Sequence, residues 1–207
     1  MTKDVNREEL KEKYGKERVP RQWRGTDFLS IMVTTFFGSG MSSKAPGTMG
    51  SLAATIVAYP MAIAAAYLLS ETLFRYFFLI AAIIVFFGAI PFVNKAMKDT
   101  HTEDPGWIVI DEVCGIFMTF AFINPAVITG MGLLFAIPIL LIGFGLFRFF
   151  DILKPLGIHR FEKFPGAWGV MADDLLGGIY AGLLMIPISI VYTFTVFMVS
   201  LGTGYQD

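Results

Sequence analysis

Residues 107–147, WIVIDEVCGIFMTFAFINPAVITGMGLLFAIPILLIGFGLF, decide how this chain is built. The stretch is almost entirely apolar, so it reads either as one long kinked region or as two helices joined at Asn124-Pro125. Asn-Pro is a turn signal. Cut there, the stretch gives helices over 107–123 and 126–147, roughly 25 and 33 Å long at about 1.5 Å per residue. Both can cross a hydrocarbon core of ~30 Å, the shorter one only just.

Charge tests the cut. Apolar segments at 51–69, 76–93 and 174–201 supply three further spans, which makes five with the split and puts 1–50, 94–106 and 148–173 on one side. Fifteen of the sixteen Lys and Arg fall in those three segments, and only Arg75 falls outside them. That is the positive-inside asymmetry of an inner-facing surface. Without the split, the last two polar groups of the chain would face away from the first two. The fold expected is therefore all-α, a polytopic membrane helical bundle of about five transmembrane helices. Asp27–Phe37 is apolar but too short to span, and reads as a short re-entrant or interfacial N-terminal helix.

Composition agrees with a membrane setting. The 207 residues are 55% apolar and only 16% charged, where soluble domains carry about 25% charged residues; mean hydropathy is +0.64. Residues 1–26 form a polar extension with a short solvated helix over 6–17, stopped near Pro20, and 27–207 form the membrane-embedded unit. The extension has no apolar core of a secretory signal. A single cysteine, Cys114, excludes a disulfide framework or Cys-rich metal site and reads as a small packing residue. No basic nucleic-acid surface and no internal repeat is present. The Phe pairs 36–37, 77–78 and 86–87 read as lipid-facing or packing residues, and Gly177, Gly178 and Gly182 as a close helix-packing face.

Four polar clusters gather on the inner face. The first, GSGMSSKAPGTMGS (38–51), offers backbone N–H groups around Gly38, Gly40 and Thr48, the charge of Lys44, and the positive end of a helix starting near Ser51. The second, DPGWIVIDE (104–112), holds Asp104, Asp111 and Glu112; Trp107 suits an interfacial belt. Adjacent helix positions diverge by about 100°, so one of Asp111 and Glu112 is expected to face the site and the other a basic partner or water. In the third, FRFFDILKP (147–155), Arg148, Asp151 and Lys154 share a helical face, and Pro155 ends the helix at Lys154. The fourth, GAWGVMADD (166–174), ends in Asp173 and Asp174. These could cap a helix start or bind a hard cation, since Mg²⁺ takes oxygen ligands. Ionised groups at membrane depth persist mainly where they pair, bind ions or do chemistry. Carboxylates converging beside Lys and Arg suggest a divalent metal and a phosphorylated substrate. His101 and His159 sit in polar loops and read as solvated.

The stretches GSGMSSKAPGTMGSL (38–52), DPGWIVIDEVCG (104–115), FRFFDILKP (147–155) and GAWGVMADDLLGGIYAG (166–182) resemble, in order, the motifs of the phosphatidylglycerophosphatase A family of bacterial membrane enzymes. The resemblance implies Mg²⁺-dependent removal of the terminal phosphate of phosphatidylglycerophosphate, leaving phosphatidylglycerol, on the cytoplasmic face of the bacterial inner membrane in phospholipid synthesis. On that reading Asp111, Glu112, Asp151, Asp173 and Asp174 hold one or two Mg²⁺ with Asp104 nearby. Lys44, Arg148 and Lys154, with Gly38, Gly40 and Thr48, bind the phosphate, and lipid tails lie between helices. The metal would neutralise phosphate charge and activate the attacking water, or one carboxylate would act as base or nucleophile. Other phosphatase chemistries fit poorly: Phe120 stands where a cysteine phosphatase needs Arg, and no Asp-x-Asp is present. The non-enzyme alternative is a membrane cation transporter or channel using the carboxylates, which the one-sided placement of the acids disfavours.

Overall fold

The computed structural model describes residues 26–203 apart from Asp104, 130–132 and Leu156. The helix expected over 6–17 and the candidate Asp104 lie outside the described residues. All regular elements described are helical. They are α1 (Phe28–Thr34), α2 (Pro46–Leu68), α3 (Glu71–Thr100), α4 (Ile110–Phe120), α5 (Ala126–Thr129), α6 (Leu133–Leu153) and α7 (Ala167–Thr203). Short 3-10 turns occupy Ser39–Met41 and Ile158–Lys163.

The helices begin and end where local chemistry dictates. Asp27 caps α1, its carboxylate accepting from the Ser30 N–H, and α2 opens with Pro46 in its first turn, where a missing N–H costs nothing. Ser70 caps α3 through the Leu73 N–H. Pro60, Pro91, Pro138 and Pro187 lie inside α2, α3, α6 and α7, as membrane helices tolerate.

Four helices are long and apolar enough to cross a membrane, in Pro46–Leu68, Thr72–Thr100, Leu134–Leu153 and Ala167–Val199. The stretch expected to supply a fifth, 107–123, is helical only over the 11 residues of α4, about 16 Å at 1.5 Å per residue. Every residue of α4 is buried, and α7, α3, α2 and α6 all pack on it. The chain still reverses where Asn124-Pro125 indicates. Asn124 donates its N–H to Ser189 Oγ on α7 at 3.1 Å and accepts from the Ala126 N–H at 3.2 Å. These bonds give the turn's backbone partners within the protein, as non-helical backbone among membrane helices requires. Beyond the turn, Tyr192 Oη donates to the Phe135 carbonyl at 2.8 Å, joining the start of α6 to the far part of α7.

Glycines set the closest approach in the bundle. A Cβ at Gly178 would lie 2.4 Å from the Gly115 carbonyl oxygen, and one at Gly115 would lie 2.2 Å from the Phe147 ring. The α4 and α7 backbones therefore touch at Gly115 and Gly178, as the small-residue stripe implies. One helical turn before each glycine stand Asp111 and Asp174. The helices run parallel, so the contact that packs them also brings those two acids together.

Outer faces of the long helices carry exposed Ile56, Ile84, Phe87, Leu141, Ile190 and Phe194, the surface lipid would cover. The Phe pairs divide between the two environments: Phe78 and Phe86 are buried while Phe87 is exposed. Trp107 is not in an interfacial belt; it is buried beneath the Ser39–Met41 turn. Trp168 is the half-exposed indole, stacked edge-on with Phe86 and Phe87. Asp27 pairs with Lys95 of α3, and the Val109 N–H donates to the Thr34 carbonyl at 2.8 Å, so α1 is tied both to α3 and to the entrance of α4.

Candidate active site

The N-terminal ends of α2, α4 and α7 meet the C-terminal ends of α3 and α6 at one end of the bundle. Asp111 and Glu112 lie in the first turn of α4, Asp173 and Asp174 in the second turn of α7, and Arg148 and Asp151 near the end of α6. Asp111 and Asp174 are each 1% exposed and Glu112 2%. One oxygen from each of these three lies within 4.8 Å of the others. Both acids of α4 therefore enter the same cluster, against the expectation that one would turn away. Glu112, one methylene longer, reaches around from the adjacent position.

Asp173 and Asp174 do not cap their helix. α7 starts at Ala167, whose N–H donates to Asn94 Oδ1 of α3 at 2.9 Å, leaving the acid pair inside the helix. Gly166, at φ +61°, makes the turn into α7 with the same Asn94 side chain pressed against it.

The remaining acids face cations. Asp151 Oδ2 pairs with Arg148 Nη1 and Asp173 Oδ2 with Lys154 Nζ. Lys154 ends α6 as expected before Pro155, and adopts a left-handed backbone at φ +43° that L-residues visit seldom. The site thus divides the five acids into two sets. Asp111, Glu112 and Asp174 converge on one another; Asp151 and Asp173 each pair with a basic group.

The first polar cluster contributes differently from expectation. A Cβ on Gly40 would lie 2.2 Å from the Trp107 carbonyl and one on Gly50 would lie 2.5 Å from the Val109 side chain, so both glycines serve close packing. Gly38 sits at φ +91° and makes a turn. Gly47 faces the carboxylates: its absent Cβ leaves room for Glu112 Oε1, which a methyl would meet at 2.3 Å. Thr48 is half-buried beside it, and Lys44 is exposed three residues earlier.

Three residues outside the expected set take part: Gly47, Ser51 and Asn94. Ser51 is fully buried and its Oγ accepts from Arg148 Nη1 at 3.3 Å. A signal for it exists in the pattern Gly47, Ser51, Thr55, a polar stripe at four-residue spacing in an otherwise apolar helix. Asn94 is marked only by being an amide at the edge of an apolar span. Cys114 packs as expected, buried with its thiol on the Ala82 carbonyl. His101 ends α3 and His159 is exposed.

Three buried carboxylates this close repel unless protonated or neutralised, because charge is poorly screened away from water. Asp111 Oδ1, Glu112 Oε2 and Asp174 Oδ2 are buried oxygens that accept no hydrogen bond among the described residues, although each side chain has other contacts. An all-oxygen donor set of this kind fits a hard divalent cation.

Fold and site define a class, the polytopic membrane proteins with an acidic and basic centre at one end of a helical bundle. The chain belongs to the phosphatidylglycerophosphatase A family, which it matches over residues 32–189, and is a phosphatase. It is 38% identical over 158 residues to a Haemophilus influenzae protein named phosphatidylglycerophosphatase A, covering 73% of this chain and 83% of that one. An Escherichia coli protein of the same name is 32% identical over 155 residues, 72% of this chain and 77% of that one. A Bacteroides thetaiotaomicron protein provisionally named a phosphatidylinositol-3-phosphatase is 35% identical over 165 residues, 76% of this chain and 92% of that one. No solved structure gives a significant match.

Proposed function

We propose that this chain hydrolyses phosphatidylglycerophosphate to phosphatidylglycerol and phosphate, with Mg²⁺ held by Asp111, Glu112 and Asp174. The observation that carries the reading is the meeting of those three buried carboxylates within 4.8 Å at the end of a membrane bundle, beside the cations Arg148 and Lys154. When bound there, Mg²⁺ would offset phosphate charge and make an attacking water more acidic.

The protein's own residues supply the remainder. Arg148 is the bidentate phosphate clamp, which a planar guanidinium suits better than an ammonium. Asp151 holds it from α6. Lys154, held by Asp173, adds positive charge at the rim. Asp111, Glu112 and Asp174 are buried from water, so each charge acts at low effective dielectric. The family places the chain among enzymes rather than transporters, and the site at the positively charged end supports chemistry on the cytoplasmic face.

The name carried by the Bacteroides relative makes headgroup choice the point to test. The assay is phosphate release by purified protein in mixed micelles, with phosphatidylglycerophosphate, phosphatidylinositol 3-phosphate and phosphatidic acid as parallel substrates. The reading expects turnover of the first lipid to exceed the others at least about ten-fold in kcat/KM, a difference of roughly 1.4 kcal/mol. Preferred turnover of the inositol lipid would reassign the substrate and keep the chemistry.

A further inference from the structure

Arg148 is held in a way that leaves one edge of its guanidinium to a ligand, and a residue so far without a role sets that edge. Asp151 Oδ2 and Ser51 Oγ both engage Nη1, which has two N–H bonds and so is fully used. Nε, on the opposite edge with Nη2, is buried and has no hydrogen-bond partner among the described residues. The Nε and Nη2 donors point in parallel, the geometry that accepts two oxygens of one phosphate.

Ser51 has its own proton committed. Its Oγ donates to the Gly47 carbonyl at 2.9 Å, so its lone pairs are what Arg148 finds. Ser51 is fully buried, and its rotamer is therefore set by α2. Through Gly47, the same turn of α2 lies against Glu112 Oε1, and a Cβ at Gly47 would be 3.5 Å from Arg148 Nη1. One hydroxyl thus links the helix bordering the carboxylates to the cation that meets the substrate.

We propose that Ser51 is a positioning residue that fixes the rotation of the Arg148 guanidinium, so that its Nε–Nη2 edge is presented to a phosphate. The proposal rests on Arg148 being the phosphate clamp. Without the hydroxyl, Asp151 alone holds Nη1 and the guanidinium can swing about that contact. Phosphate would then meet one donor rather than two.

The test uses the full chain and two readouts, kinetics on phosphatidylglycerophosphate and binding of inorganic phosphate by calorimetry in the presence of Mg²⁺. Ser51→Ala should weaken phosphate binding and raise KM about ten-fold or more, the scale of one hydrogen bond to a charged group, with kcat changed less. Ser51→Thr, which keeps the hydroxyl, should stay within about three-fold of the native protein. Thr55→Val, which removes a buried hydroxyl one turn along the same helix face, should behave as native. In an Arg148→Lys background, Ser51→Ala should add little, because no fork remains to orient. Equal phosphate affinity in native and Ser51→Ala proteins would overturn the proposal, as would an equal loss in Ser51→Thr or full additivity with Arg148→Lys. Failure of the native protein to turn over this lipid while it still binds phosphate would strike the assigned substrate and leave the Ser51 comparison intact.

Discussion

At the scale of single residues, the sequence exposes chemistry better than it exposes partners. Five of the six acids expected in the site lie at one end of the bundle, the sixth, Asp104, lying outside the described residues, but which of them converge depends on rotamers and helix starts that spacing does not fix. Asp173 and Asp174 read equally as a cap or as cation ligands because their span is drawn from 174; Asn94, far away in sequence, starts the helix seven residues earlier. Gly38 and Gly40 read as anion-binding because glycines are permissive, and only the position of Trp107 shows that packing claims Gly40. Outside the site, Asp27 is informative. The Lys95 ammonium, then the Ser30 hydroxyl and N–H, hold its carboxyl well below the ordinary carboxylate range. A depressed folded pKa means stabilisation that is complete above the unfolded value, near pH 4, and lost as pH falls below it towards the folded one. Native protein should therefore lose thermal stability more steeply than Asp27→Asn between about pH 4 and pH 2.5. Parallel melting curves with equal acid slopes would remove this contact from the docking of α1.

Among elements, α4 is where sequence and structure diverge most. Its hydropathy matches that of a span because burial in protein and burial in lipid select the same side chains. What hydropathy cannot show is that four other helices surround α4 and that Gly115 and Gly178 bring two backbones into contact. The contrast with Gly145 is testable. A Cβ at Gly145 meets nothing within 4 Å, whereas one at Gly178 collides with the Gly115 carbonyl. Gly178→Ala should cost about 1–3 kcal/mol of stability and lower activity by separating Asp111 from Asp174, while Gly145→Ala should be neutral within about 0.5 kcal/mol. Thermal unfolding in detergent, with activity measured on the same samples, checks both. Equal effects of the two changes would contradict the crossing as the element that sets the site.

For the whole molecule, topology was the most legible feature. The distribution of Lys and Arg and the Asn124-Pro125 turn together place the four polar clusters at one end, and the folded chain brings the described parts of all four there. The number of full spans was less legible, because one leg of the hairpin is a half-length helix continued by a loop. Sidedness can be read directly. Cys114 is buried and should give no background, so Ser43→Cys beside the site and Ser70→Cys in the α2–α3 connection should label from opposite sides in oriented membrane vesicles with an impermeant maleimide. Labelling of both from one side would refute the arrangement.

The most direct test of the central claim is phosphate release from phosphatidylglycerophosphate by chelator-stripped protein as Mg²⁺ is restored, native beside Asp174→Asn. Native activity should be absent in chelator and return with saturable dependence on Mg²⁺. Asp174→Asn, folded by the same melting criterion, should fall by at least about a hundred-fold at equal Mg²⁺, beyond the 10–100-fold typical of losing an outer partner of a metal ligand. Full activity in chelator, or in Asp174→Asn, would contradict a metal held by Asp111, Glu112 and Asp174.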